Sequence, residues 1–446
     1  MNLLTIQLTD EKKYITIYKE IKKLILNGTL TKEEKLPSKR DLAKNLGVSI
    51  NTIMTSYNLL LNEGYIYAKE KSGYYVSSFF YLKPDLKKEK ENPLLNKKNY
   101  LYDFTSEGVE ASTFPSYTFK KITSDIIMNN PSIFLTKSNS QGDTNLRRTL
   151  SKYLLENKGF EVNEEQIIIV SSLEESLNIV HSLINIKNLA IENPGYLKIQ
   201  KYLPKKVSFN YLPLDQEGMV PDNNYYSLAY VTPYNQFPSG IKMTLKRKNQ
   251  LLNSNIQYIF EDDFDCDLIF KNQYVSTLFS LNDEKVFFHG SFSHILCPGL
   301  RISYLVIPKK LVTIYQEKYQ NSSSKISSLD QSIINEFISQ GHYYRHLNKI
   351  RKINLQKKMV IEEYLKKINY LTYQANELSF IITINKDFDL KALKKHLDDA
   401  LIKIKFVDDF THNLNSRDII LSFSSIKLES INQGLDFLFQ TIESLF

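Results

Sequence analysis

The chain has 446 residues, 42% of them hydrophobic and 24% charged, with a formal net charge of +8 at pH 7. That length exceeds what one hydrophobic core ordinarily organises, so two or more domains are expected, and the composition is that of a globular chain. No apolar run approaches the roughly 18 residues that span a bilayer, and residues 1–13 lack the pattern of a signal peptide. Two cysteines, Cys266 and Cys297, without CxxC spacing argue against a disulfide framework or structural zinc. A soluble cytoplasmic protein with no membrane partner is expected. Residues 1–90 hold 16 Lys/Arg against 10 Asp/Glu, so most of the positive excess sits in the first fifth of the chain. A polyanion partner for that part follows.

Tyr14, Ile17, Tyr18, Ile21, Leu24 and Ile25 recur at helical spacing, predicting a helix near 12–27 that Gly28 ends. Ser38 caps a second helix, with Asp41 three residues on, and Gly47 supplies its left-handed end. Ser49 caps a third helix striped by Ile53, Tyr57, Leu60 and Leu61. Tyr65–Tyr67 and Tyr74–Val76 then alternate as two strands of a hairpin with Lys69, Lys71 and Gly73 in its tip. Three helices with a tight turn between the second and third, followed by a hairpin, predict a winged helix-turn-helix over residues 1–78.

The runs Leu36-Pro37-Ser38-Lys39-Arg40-Asp41-Leu42-Ala43, Leu46-Gly47-Val48-Ser49-Ile50-Asn51-Thr52 and Leu60 to Tyr65 resemble the GntR family of bacterial regulators. The resemblance implies a partner of double-stranded operator DNA. Lys39 and Arg40 would meet phosphate or a base edge, Ser49, Asn51 and Thr52 the major groove, and Lys71 and Gly73 the minor groove. Family members often carry arginine where Ile50 and Met54 stand here. That departure implies fewer phosphate contacts, or a site read partly through thymine methyls.

From 79 to 99 the periodicity is lost among lysines, Pro84 and Pro93, which reads as a solvated linker. Beyond it, apolar runs at Gln166–Val170, Leu189–Glu192, Ser227–Val231, Tyr258–Glu261, Val286–His289 and Ile302–Ile307 alternate with helical patterns. An α/β domain over 100–446 with a mostly parallel sheet is expected, its ligands at the carboxyl ends of the strands.

Phe114-Pro115, Gln141 to Arg147, Glu192-Asn193-Pro194-Gly195-Tyr196, Val231 to Gly240, Glu261 to Asp265 and Gly290 to Arg301 lie at those ends. In order and spacing they resemble the MocR subgroup, which joins a GntR-type reader to a fold-type I aminotransferase-like domain with a small C-terminal α+β subdomain, here from about residue 345. The resemblance implies a pyridoxal 5'-phosphate (PLP) site and a head-to-tail homodimer. Asp262 matches the partner of the pyridine nitrogen, Tyr196 the ring-stacking aromatic, and Ser291 and Arg301 the phosphate ligands.

Other positions depart from that pattern. His294 stands where the family has the lysine that forms an imine with the cofactor, and an imidazole has no primary amine to do so. Phe264 replaces a cofactor-bonding tyrosine. Ser171-Ser172-Leu173-Glu174 replaces the phosphate cup, bringing a bulky group and a carboxylate. Lys137 stands near the place of a tyrosine that crosses the dimer, and Arg417 is matched to the arginine that holds a substrate carboxylate. His294 reads either as a residue in a vacated cleft or as a donor or base for a new ligand. Lys137 or Lys242 as a substitute amine, and His342 with His346 as metal ligands without a third, are weaker readings.

The reading that joins these observations is a DNA-binding regulator whose aminotransferase-like domain dimerises and senses a small-molecule effector without transaminase turnover. Any PLP would be held noncovalently. The alternatives are a PLP-dependent aminotransferase with a fused DNA reader, and a ligand-free dimerisation scaffold.

Overall fold

The computed structural model describes residues 12–70, 72–78, 98–105, 109–135, 137–263, 265–268, 276–293, 295–296, 298–413 and 416–445. Lys71, Phe264, His294 and Cys297 lie outside them. Two compact units divide the chain, Met1–Lys97 and Lys98–Phe446.

In the first unit, α1 (Lys13–Leu26), α2 (Lys39–Leu46) and α3 (Ile50–Asn62) precede a hairpin of β1 (Ile66–Lys69) and β2 (Gly73–Val76). Ser38 caps α2 by accepting the Asp41 amide, and Gly47 closes it at φ 61°, the left-handed conformation glycine adopts without strain. Ile17, Ile21, Ile25, Leu42, Ile53, Tyr57 and Leu60 meet in one core with Ile66 and Val76 of the hairpin. Lys35 bridges to Tyr75, which ties the chain before α2 to the wing.

The second unit opens with β3 (Tyr102–Asp103) and contains the strands β4 (Ile167–Val170), β5 (Asn188–Asn193), β6 (Ser208–Asp215), β7 (Gly218–Met219), β8 (Tyr226–Val231), β9 (Ile256–Asp262), β10 (Val286–Ser291) and β11 (Ser303–Val306). These last eight form one sheet in the order β4-β11-β10-β9-β8-β5-β6-β7. Its centre is parallel, while β11 runs against both neighbours and β7 against β6. The expected mostly parallel sheet is therefore present, with the Ile302–Ile307 run supplying a reversed strand. Every residue of β4, β8 and β11 is buried, because cores lie on both faces.

The covering helices are α4 (Ser116–Asn129), α5 (Thr144–Lys158), α6 (Leu173–Ile184), α7 (Leu245–Leu252), α8 (Leu278–Leu281), α9 (Val312–Tyr319) and α10 (Ser328–Ser339). The long helix α11 (His342–Leu365) then buries Tyr343, Leu347 and Ile350 in the large core and Ile361 and Leu365 in a separate one. That second core belongs to a small subdomain of β12 (Leu371–Ala375), β13 (Ser379–Ile384), α12 (Leu390–Asp399), β14 (Ile402–Lys403), β15 (Lys405–Phe406), β16 (Ile419–Ser422) and α13 (Ile431–Glu443). Phe104 is buried in it and β3 pairs in parallel with β14, so the start of the unit also builds the subdomain expected from about 345 onward.

Candidate functional site

The carboxyl ends of the parallel strands open on a cleft of ≈ 370 Å³. Strand order assembles its floor. Tyr230 on β8, Asp262 on β9 and His289 on β10 project from three neighbouring strands, and Asp262 and His289 are register partners. Tyr230 donates its hydroxyl to Asp262 Oδ2 at 2.5 Å. Burial raises the Asp262 pKa to about 7, which that hydrogen bond only partly offsets. Burial likewise lowers the His289 pKa to about 3, so its ring is neutral near pH 7, and its Nδ1 lies 3.0 Å from Ser176 Oγ.

At the end of β10, Ser291 Oγ accepts the Ser293 amide at 3.2 Å and the Ser303 hydroxyl at 3.0 Å. A hydroxyl that accepts twice has its own proton left to donate. Ser291, Ser293 and Arg301 all line the cleft, and Arg301 takes the left-handed φ of 48° in the turn before β11. Gly290, just before, has no room for a side chain: a Cβ would stand 2.3 Å from the Tyr304 ring. Tyr196 lines the cleft after β5, its hydroxyl 3.0 Å from that of Tyr202. Asp262, Tyr196, Ser291 and Arg301, expected as a set, therefore share one cavity.

The helix end facing the cleft differs from expectation. Glu174 is exposed, and it is Glu175 that turns back, its Oε2 accepting both the amide and the hydroxyl of Ser171 at 2.7 Å. Ser172 is the cap of α6, which makes Glu175 its third residue, the position from which a carboxylate reaches backward. Lys325 pairs with Glu175 at 3.2 Å. Leu173 does line the cleft.

Arg417 does not line it. The residue precedes β16 and pairs with Asp387 at 2.6 Å on the surface, while Ile420, in the strand itself, is buried with Val407 and Phe410. From the small subdomain it is Lys405, Phe410, Ser379 and Ser422 that reach the cleft, joined by Lys198 of the large domain. Lys242 is paired with Glu377 at 2.9 Å, and Lys137 is exposed; neither lines the cleft. His346 is buried with Nε2 donating to the Ile295 carbonyl, whereas His342 is half-buried, and no described cluster could hold a metal.

In the first unit Ser49 accepts the Thr52 amide at 3.1 Å, and the two hydroxyls lie 2.8 Å apart, so both serve the cap of α3. Asn51 and Arg40 are exposed; Lys39 lies with its ammonium 5.3 Å from the Tyr74 ring centre. Gly73 is exposed at the start of β2 with φ 117°.

Residues 13–76 match the family model of bacterial regulatory proteins of the gntR family. The HTH-type transcriptional regulator YdeL of Bacillus subtilis (strain 168) is 28% identical over 96% of both chains. The probable rhizopine catabolism regulatory protein MocR of Rhizobium meliloti is 24% identical over 96% of this chain and 93% of its own. An archaeal alanine:glyoxylate aminotransferase superposes with a TM-score of 0.70 at 18% identity, covering 77% of this chain and 91% of that one. This is the architecture of a GntR/MocR-type transcriptional regulator. In this MocR-type chain the aminotransferase-like fold occupies the second unit, and the cleft just described lies where parallel α/β sheets hold their ligands.

Proposed function

We propose that this MocR-type regulator binds double-stranded operator DNA as a homodimer, and that its cleft senses a small molecule without transaminase turnover. The observation that carries this reading is a cleft keeping Asp262, Tyr196, Ser291 and Arg301 in a chain with His294 at the imine-lysine position. The residues suit a phosphorylated pyridine held noncovalently. Asp262 would pair with a protonated ring nitrogen, Tyr196 would face the ring, and Ser291 with Arg301 would take the phosphate. When bound, such a ring supplies an electron sink. Without a primary amine at position 294, covalent attachment and proton shuttling by that side chain are not available.

A ligand-free scaffold is the second reading, favoured by Glu175, which places a carboxylate at the helix end where an anion would otherwise be drawn. Effector binding would act by shifting the placement of two DNA readers on paired half-sites.

The DNA-binding assignment is tested by Arg40→Ala in the full chain. Losing one phosphate contact lowers affinity across sequences and reduces the salt-dependence slope by about 1. Affinity and slope equal to wild type would remove Arg40 from the interface.

A further inference from the structure

The recognition helix α3 has the sequence INTIMTSYNLLLN, without one charged side chain. Ile53, Tyr57 and Leu60 on its inner face are buried in the core of the unit. Flanking that face, Ile50 is 48% and Met54 39% exposed, one turn apart and side by side. Asn51 and Thr55 form the adjacent exposed row. The hydroxyls near this end are committed internally. Ser49 and Thr52 bond each other, and Thr55 donates to the Asn51 carbonyl at 3.0 Å. The Asn51 amide is left as the polar group facing outward, with two large apolar side chains beside it.

The surroundings are cationic. Lys35, Arg40, Lys44 and Lys69 are exposed on α2, on the segment before it and on the wing. That division of labour suits a duplex: cations on the flanks for phosphates, an uncharged helix for base edges. In the major groove the group an apolar side chain can recognise is the thymine methyl, and a side-chain amide pairs bidentately with adenine N6 and N7.

We infer that Ile50 and Met54 select thymine by contact with its 5-methyl group and that Asn51 selects a neighbouring adenine, so the core of each half-site is A·T. The inference rests on the DNA-binding reading and goes beyond it by naming the bases and the residues that choose them.

The test is selection of the full chain's preferred duplex from a randomised pool, followed by replacement of each core thymine with deoxyuridine. Deleting one buried methyl lowers wild-type affinity about fourfold. In Ile50→Ala and Met54→Ala, both exposed positions that leave the core intact, that penalty disappears at one thymine each. Lys39→Ala weakens thymine and deoxyuridine duplexes alike. A G·C core, or a deoxyuridine penalty that persists in both alanine variants, overturns the inference while leaving DNA binding in place. A pool with no enriched sequence overturns the DNA-binding reading as well. An oligomer that dissociates in Ile50→Ala, with the thymine penalty intact, also overturns it and assigns this face to a second copy.

Discussion

At the floor of the cleft Asp262 is 6% exposed and bonded to Tyr230, and burial sets its pKa near 7. A carboxyl whose folded pKa is raised favours the fold while protonated. Its contribution is complete below the unfolded value of 3.8 and is lost as pH rises through about 7. Asp262→Asn, which carries no charge, should therefore raise the melting temperature of the unliganded protein more at pH 8 than at pH 5. An equal shift at both pH values would place Asp262 in a wetter site than its burial indicates. The sequence made Asp262, Tyr196, Ser291 and Arg301 legible because each sits in a local motif at a strand end. Tyr230, His289, Lys198 and Lys405 were not legible. They reach the cleft through strand order and the docking of the small subdomain, pairings that no local spacing encodes.

Elements settle what neighbouring residues do. Glu174 and Glu175 differ by about 100° around the helix axis, and only the cap at Ser172 decides which one reaches back to Ser171. Local spacing shows the acidic pair but not the phase, which is why the expectation falls on Glu174. Glu175→Ala should cost about 1 kcal/mol of stability by removing that cap interaction, while raising the affinity for PLP followed by absorbance. Weaker PLP binding would show that Glu175 supports the ligand rather than competing with it.

A second element-level device lies beneath the site. The α5 residue Lys158 is buried between Asp263 and Asp267, 2.8 Å from the latter, and Asp267 also accepts from Tyr343 at 2.7 Å. Burial opposes the lysine's charge, but the two carboxylates outweigh it and hold its pKa high. Lys158→Met would leave two buried carboxylates without their counter-charge and destabilise by roughly 3–5 kcal/mol. In chemical denaturation that loss should ease toward acid pH, as the carboxylates take up protons. A loss independent of pH would point to packing alone.

On the scale of the whole molecule, the chain's two-part organisation and its mostly parallel sheet were legible from the charge bias of residues 1–90, the helical stripes and the buried apolar runs. The contribution of β3 and Phe104 to the small subdomain was not, because that contact joins segments some 300 residues apart. Resemblance alone points Arg417 at the cleft, yet β16 packs Ile420 with Phe410 while Arg417, ahead of the strand, pairs with Asp387 on the surface. The cleft that results keeps anchors for a ring and an anion around a chain whose sequence lacks the imine lysine.

Incubation of the purified full chain with PLP, borohydride reduction and mass mapping tests that account most directly. The account predicts reversible spectral change at most, with no pyridoxyl group fixed to any lysine of the cleft. A pyridoxyl adduct on Lys198 or Lys405, formed stoichiometrically, would contradict it and restore a covalent cofactor to this fold.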